Sequence, residues 1–229
     1  MNAWFEKLYE TFIESGGYRY IIEGFTNTII ITLGALVIGV VIGALIAIIK
    51  YFAEESPRMK PLAILCDLYT TVIRGIPITV LLLIFYLIIL VSASDLAVAI
   101  LAFGINSGAY MAELIRSGIN AVDKGQMEAA RSLGMSHGMA MRLIIIPQAI
   151  RIILPAFANE FVTLIKETSV LGYVGVVEIL RRGQLWNSSS FETFPAYIGV
   201  ALAYMILTIP LSKIINGYER KMARKESAA

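Results

Sequence analysis

The side chains that build most metal sites and covalent staples are nearly missing: the 229 residues hold one cysteine, Cys66, and one histidine, His137. A single thiol forms no intrachain disulfide, and a lone cysteine is most often a small buried hydrophobe. With no second histidine and no cysteine cluster, the ligands for a metal site are too few, and none is expected. Charge is scarce as well. Asp, Glu, Lys and Arg make up 16% of the chain, where a soluble domain carries about a quarter. The turn signals that a β-rich soluble fold needs every ten residues or so are absent. No G-x-x-x-x-G-K-[ST] phosphate loop occurs, so the chain carries no such nucleotide site of its own. The polar residues form no nucleophile–base constellation, and no catalytic residue is assigned. A net charge of +2 gives no reason to expect a nucleic-acid partner.

What is abundant is hydrocarbon. Residues are 58% hydrophobic, the mean hydropathy is +0.75, and the apolar residues gather into long blocks. That pattern implies an all-α integral membrane protein. The block 25–49 holds no charge and is long enough to span a ~30 Å hydrocarbon core. It starts too far in, runs too long and is followed by KYFAEESPRMKP, so it is not expected to be a cleaved signal. Further crossings are expected over 62–91, from Leu96 toward Glu113, over 152–177 and over 194–212, giving five transmembrane helices. Pro77, which lacks an amide proton, should bend the second.

Residues 1–24 form a different element. Trp4, Phe5, Leu8 and Phe12 recur at helical spacing while the charged residues do not join them, which suits an interfacial amphipathic helix closed by Gly16-Gly17. The division is then 1–24 for this helix and 25–229 for the transmembrane part. Five crossings put the termini on opposite sides. Lys50, Arg58 and Lys60, then Lys124, Arg131, Arg142 and Arg151, then the basic C-terminus fall on one side, against Lys7, Arg19, Arg181 and Arg182 on the other. The positive-inside rule therefore expects the C-terminus in the cytoplasm and the N-terminus outside.

This orientation puts EAARSLGMSHGMAMRLIIIP, within 124–147, on the cytoplasmic side. Ala129, Ala130, Leu133 and three methionines favour helix, Gly134 interrupts it, and Ser136 is placed to cap a second short helix. Glu128 is expected in the first part of its helix, where a carboxylate suits the positive end of the dipole. Ala129-Ala130 leave a backbone that a partner can approach. Such a segment fits either a docking knob or an interfacial helix with no partner.

The same segment resembles the signature of ATP-binding-cassette importer membrane subunits: Glu128-Ala129-Ala130, three residues, Gly134, nine residues, Ile144, one residue, Ile146, Pro147. Leucine is common in that family where Ile146 stands. RGIP at 74–77, AYMAELIRSGINAV at 109–122, KGQMEAARSLGMS at 124–136, PQAIRIILP at 147–155 and NEFVTLIKETSVL at 159–171 look like its polar amino-acid uptake branch. After Pro77 the chain departs from that branch, with Thr79-Val80-Leu81 where polar positions are frequent.

The resemblance implies a transmembrane subunit of an ATP-driven importer for polar or charged amino acids, in the bacterial or archaeal cell (inner) membrane. Its coupling helix-turn-helix, including Gln126, Glu128, Ala129, Ala130 and Gly134, would fit a cytoplasmic ATPase. The implied partners are two ATP-binding subunits that hold ATP and Mg, a second permease subunit of the same or a related chain, and an outer substrate-binding protein. That last partner would meet the loops near 92–95 and 181–192. The chain itself is expected to be no enzyme and to bind no cofactor.

Polar groups at bilayer depth are costly and face cavities or partners. Asn159, Glu160 and Thr163 are candidates for a substrate ammonium, with an alternative in which Glu160 pairs with Arg116. Asn106, Ser107 and Tyr110 are candidates for a carboxylate or amide, or for helix packing alone. Lys166-Glu167-Thr168-Ser169 suits a gate or subunit contact. Glu113 and Arg116, at i,i+3, are expected to neutralise each other. Gly39/Gly43 and Gly104/Gly108 have helix-packing spacing. The rival readings are a membrane scaffold without transport of its own and an ion-driven carrier, for which no internal repeat is seen.

Overall fold

The computed structural model describes Glu6 and residues 9–226. Trp4, Phe5 and Leu8 of the expected interfacial helix lie outside the described residues. Among the described residues all regular elements are helical: α1 (Gly17–Glu55), α2 (Lys60–Gly75), α3 (Ile78–Ile84), α4 (Asp95–Asn120), α5 (Lys124–Ser132), α6 (His137–Ala140), α7 (Ile146–Glu167), α8 (Ile179–Ser190) and α9 (Thr193–Glu226). Among the described residues, four stretches are long and apolar enough to cross a membrane: Gly17–Ala53, Asp95–Asn120, His137–Val174 and Thr193–Lys221. The broken pair Pro57–Gly75 and Ile78–Ile89 makes a fifth when taken as one span.

Several boundaries differ from those the sequence suggested. Gly16, at φ +74, ends the preceding π-turn Glu10–Glu14, but Gly17 opens α1 directly. Residues 17–24 therefore belong to the first crossing helix, with Ile21 buried. Glu23 is accommodated there because Arg182 pairs with it at 2.8 Å. Pro77 does not bend a helix. It separates two, since Ile76 is extended (ψ 127°), as the steric demand of a following proline requires, and Pro77 itself has ψ 136°. Pro147 sits second in α7 after the π-turn Met141–Ile145. The wider turn leaves room for a ring that would otherwise crowd the carbonyl one turn back. The expected outer loop at 181–192 is largely helix α8, and α9 continues well past Lys213.

The chain divides into two compact units. The first is built from the described parts of Met1–Ala35, with Pro77–Gly104 and Phe161–Ile214. Its core gathers Ile21, Ile179, Val200 and Ala203, with Phe25, Leu180 and Tyr204 packed around them. The segment 176–179 docks on α1 through backbone: a Cβ at Gly24 would stand 2.6 Å from the Glu178 carbonyl oxygen. Asn27 Nδ2 donates to the Val177 carbonyl at 2.8 Å.

The second unit comprises Leu36–Ile76, Ile105–Glu160 and the described part of Ile215–Ala229. Here the glycine spacing of α1 meets α4. A Cβ at Gly39 would lie 2.7 Å from Ser107 Oγ, and one at Gly43 would lie 2.9 Å from the Ala112 amide nitrogen. Helices in lipid gain little from apolar burial alone, so close backbone approach at small residues carries the packing. The return from α5 to α7 is held by a separate apolar cluster of Val122, Ile145 and Ala149, with Met127 and Ile153 against it.

Candidate functional site

The 124–147 segment is a built turn. Asp123 caps α5, its carboxylate accepting from the Gly125 amide at 2.7 Å. Glu128 is thus the fifth residue of α5, not part of its first turn, and Asp123 supplies the negative group at the positive helix end. Gly134 has φ +82, the left-handed conformation that ends a helix cheaply only with glycine. Ser136 Oγ accepts from the Met139 amide at 3.2 Å and caps α6, as its position in the sequence suggested. Arg131 closes the turn by donating to the Met135 carbonyl at 2.7 Å. Gln126, Glu128 and Ala129 are exposed, whereas Ala130 is 1% exposed and packs inward. The smallness of Ala130 therefore serves the turn's seat on its own unit, and Ala129 presents the open backbone. Leu133, at the tip, is 84% exposed.

The same unit holds a charged cavity of about 560 Å³ lined by Lys50, Asp67, Arg74, Tyr110, Glu113 and Arg116. Lys50 pairs with Asp67, and Arg116 with Glu113. Arg74 lies 3.8 Å from Glu113 and its guanidinium stands 5.5 Å from the centre of the Tyr110 ring. Three cations and two carboxylates thus share one open hollow, which leaves cationic charge over. The i,i+3 pairing of Glu113 and Arg116 was legible in the sequence. Its meeting with Lys50, Asp67 and Arg74 was not, because those residues lie on helices α1 and α2.

The remaining polar candidates are placed as follows. Asn106 is 4% exposed and Ser107 is fully buried against Gly39, so these two sit in helix packing. Tyr110 is exposed and lines the charged cavity. Asn159 donates to Glu219 at 3.3 Å, and Glu160 is half-buried in the same unit. Thr163, half-buried, belongs to the other unit. In the Lys166–Ser169 run α7 ends at Glu167, and Thr168 Oγ1 turns back to the Ile165 carbonyl at 2.7 Å.

One carboxylate escaped the sequence reading. Glu178 has no exposed surface and caps α8, accepting from the Leu180 amide at 2.7 Å, the Arg181 amide at 2.6 Å and the Tyr204 hydroxyl at 2.6 Å. Burial pushes its carboxyl above the ordinary value, while those three donors pull in the other direction. An acidic residue directly before ILRRGQLW was the available signal.

Known proteins resemble this chain over most of its length. The family described as "Binding-protein-dependent transport system inner membrane component" matches residues 39–224. The chain is 37% identical over 207 residues to the putative glutamine transport system permease protein GlnP of Rickettsia typhi, covering 89% of this chain and 93% of that protein. It is equally 37% identical over 205 residues to the probable glutamine ABC transporter permease protein GlnM of Bacillus subtilis, covering 88% and 93%. A solved structure titled "Crystal structure of an amino acid ABC transporter with histidines" superposes with a TM-score of 0.85 at 40% identity, covering 92% of this chain and 98% of that one. The chain therefore belongs to the binding-protein-dependent transport system inner membrane components, as the transmembrane subunit of an ATP-driven amino-acid importer.

Proposed function

We propose that the chain imports polar or charged amino acids as half of a two-subunit pore, driven through the 124–147 turn by two cytoplasmic ATP-binding subunits that carry ATP and Mg. The observation that carries this reading is the exposed apolar Leu133 on a turn fixed by Asp123, Gly134 and Ser136. A rigid knob with an apolar tip can transmit a push, whereas a floppy loop would absorb it. Gln126, Glu128 and Ala129 flank the tip as the polar rim of the contact, and Ala130 seats it. The basic residues beside this turn support a cytoplasmic location, with the C-terminus on the same side and the N-terminus outside. An outer substrate-binding protein would then meet the 92–95 turn and helix α8.

The substrate passes the charged cavity beside Tyr110. An α-amino acid carries one carboxylate and one ammonium, and the cavity offers Lys50, Arg74 and Arg116 to the first and Asp67 and Glu113 to the second. Asn159, Glu160 and Thr163 are further candidates for substrate contact, and Asn106 and Ser107 belong to the packing that positions Tyr110.

The test is reconstitution of the chain with its ATP-binding subunits and binding protein in sealed liposomes. Gly134→Val should abolish substrate-stimulated uptake while the spans still insert. Arg74→Gln should reduce uptake and substrate-stimulated hydrolysis more than assembly. Coupled uptake at the wild-type rate in Gly134→Val would refute the docking role. Absence of ATP-dependent uptake in the wild type would favour the scaffold.

A further inference from the structure

Helices α1, α4 and α7 border a groove in the second unit that is separate from the charged cavity and reaches Gly138, Met141 and Arg142 of the 124–147 segment at one end. Its volume is about 890 Å³, and its walls include Val40, Ile48 and Phe52, Ile115, and Ile150 and Leu154. Ile48, Phe52, Ile150 and Leu154 are each between 41% and 54% exposed, so these side chains line an open trough. Tyr51 marks one end, where its hydroxyl meets His137 Nδ1 at 3.2 Å and the two rings stack. Arg142 borders the groove one turn of chain beyond, and its guanidinium makes no ion pair or hydrogen bond among the described residues.

We propose that this groove binds an anionic phospholipid of the surrounding membrane, with an acyl chain along α1 and the phosphate on Arg142. Length supports the assignment. Twelve residues separate Val40 from Phe52, which is ~18 Å of helix, close to one leaflet of a ~30 Å hydrocarbon core. Charge supports it too, because a guanidinium at the rim of an apolar trough matches a ligand with an anionic head and a hydrocarbon tail. A helix from a second copy is a poorer occupant. Close helix pairing in lipid uses small residues, and on α1 Gly39 and Gly43 are already spent on α4. The groove walls instead present long, branched side chains that suit a fluid chain.

Native mass spectrometry of the purified full chain, titrated with dioleoyl phosphatidylglycerol or dioleoyl phosphatidylcholine, tests this. The wild type should retain the anionic lipid at least about fivefold better, the equivalent of the ~1 kcal/mol that one basic residue contributes at an anionic surface. Arg142→Gln should bring the ratio close to one, Arg142→Lys should keep most of it, and Arg151→Gln should leave it unchanged. Ala47→Phe, which fills the trough, should weaken retention of both lipids. Equal retention of the two lipids by the wild type, or an unchanged preference in Arg142→Gln, would overturn the proposal. So would a disulfide between two copies through Ile150→Cys in a Cys66→Ala background, since the trough would then be covered by protein.

Discussion

Removing the buried carboxylate of Glu178 should loosen helix α8. The side chain accepts three hydrogen bonds, from the Leu180 and Arg181 amides and the Tyr204 hydroxyl, at 2.6–2.7 Å. Loss of a helix cap costs about 1 kcal/mol. Each buried donor left without an acceptor costs about 1–3 kcal/mol. Relief from burying a charge offsets part of this, so Glu178→Ala should destabilise the first unit by about 2–4 kcal/mol. Glu178→Gln keeps the shape but turns one oxygen into a donor facing another donor, and should cost about 1–3 kcal/mol. A chain of this size shifts its melting point by about 2–4 °C per kcal/mol, so Glu178→Ala should melt roughly 4–16 °C lower in detergent.

Trp186 supplies the local readout. It lies on α8, is 2% exposed, and meets Phe12 edge-on at 5.2 Å between ring centres. With Trp4 replaced by Phe, the emission of Trp186 should shift to the red as α8 loosens. The pH dependence has a definite sign. Because burial raises the folded carboxyl above its ordinary 4.5, the folded state holds the proton more tightly than the unfolded one. That contribution to stability is complete below pH 4.5 and is lost as pH rises through the folded value. Glu178→Gln should flatten the stability profile in that window. Unchanged melting and unchanged Trp186 emission in Glu178→Ala would refute the capping argument.

Gly43→Ala should impair assembly of the second unit by about 1–3 kcal/mol, because the new methyl would meet the Ala112 amide nitrogen at 2.9 Å. Thermal melting and the monodispersity of the purified chain would register it. At Gly134 nothing lies within 4 Å of an added Cβ, so Gly134→Ala isolates backbone strain of about 1–2 kcal/mol. It should weaken ATPase association less than Gly134→Val, and equal effects would point to a steric cause instead. Ser136→Ala removes the cap of α6 and should cost about 1 kcal/mol, read as faster amide exchange at Met139. A cysteine placed at Ser136 in a Cys66→Ala background should be protected from impermeant reagents in intact cells and should react in inverted membranes. Labelling from outside would reverse the proposed orientation.

Local chemistry alone determined the apolar spans, the interruption at Gly134, the Ser136 cap and the family signature. Each rests on residues a few positions apart, where period, capping and backbone freedom act within one segment. Boundaries were less legible. Sequence hydropathy started the first span at residue 25, but Arg182, far along the chain, stabilises Glu23 and lets α1 begin at Gly17. Only the tertiary structure decided that Lys50, Asp67, Arg74 and Glu113 share a cavity, that Ser107 is spent on Gly39, and that Glu178 is buried. The physical reason is the same in each case. A charge or a glycine takes its role from what the opposing helix places within a few ångströms, and spacing along one segment does not encode which helix that is.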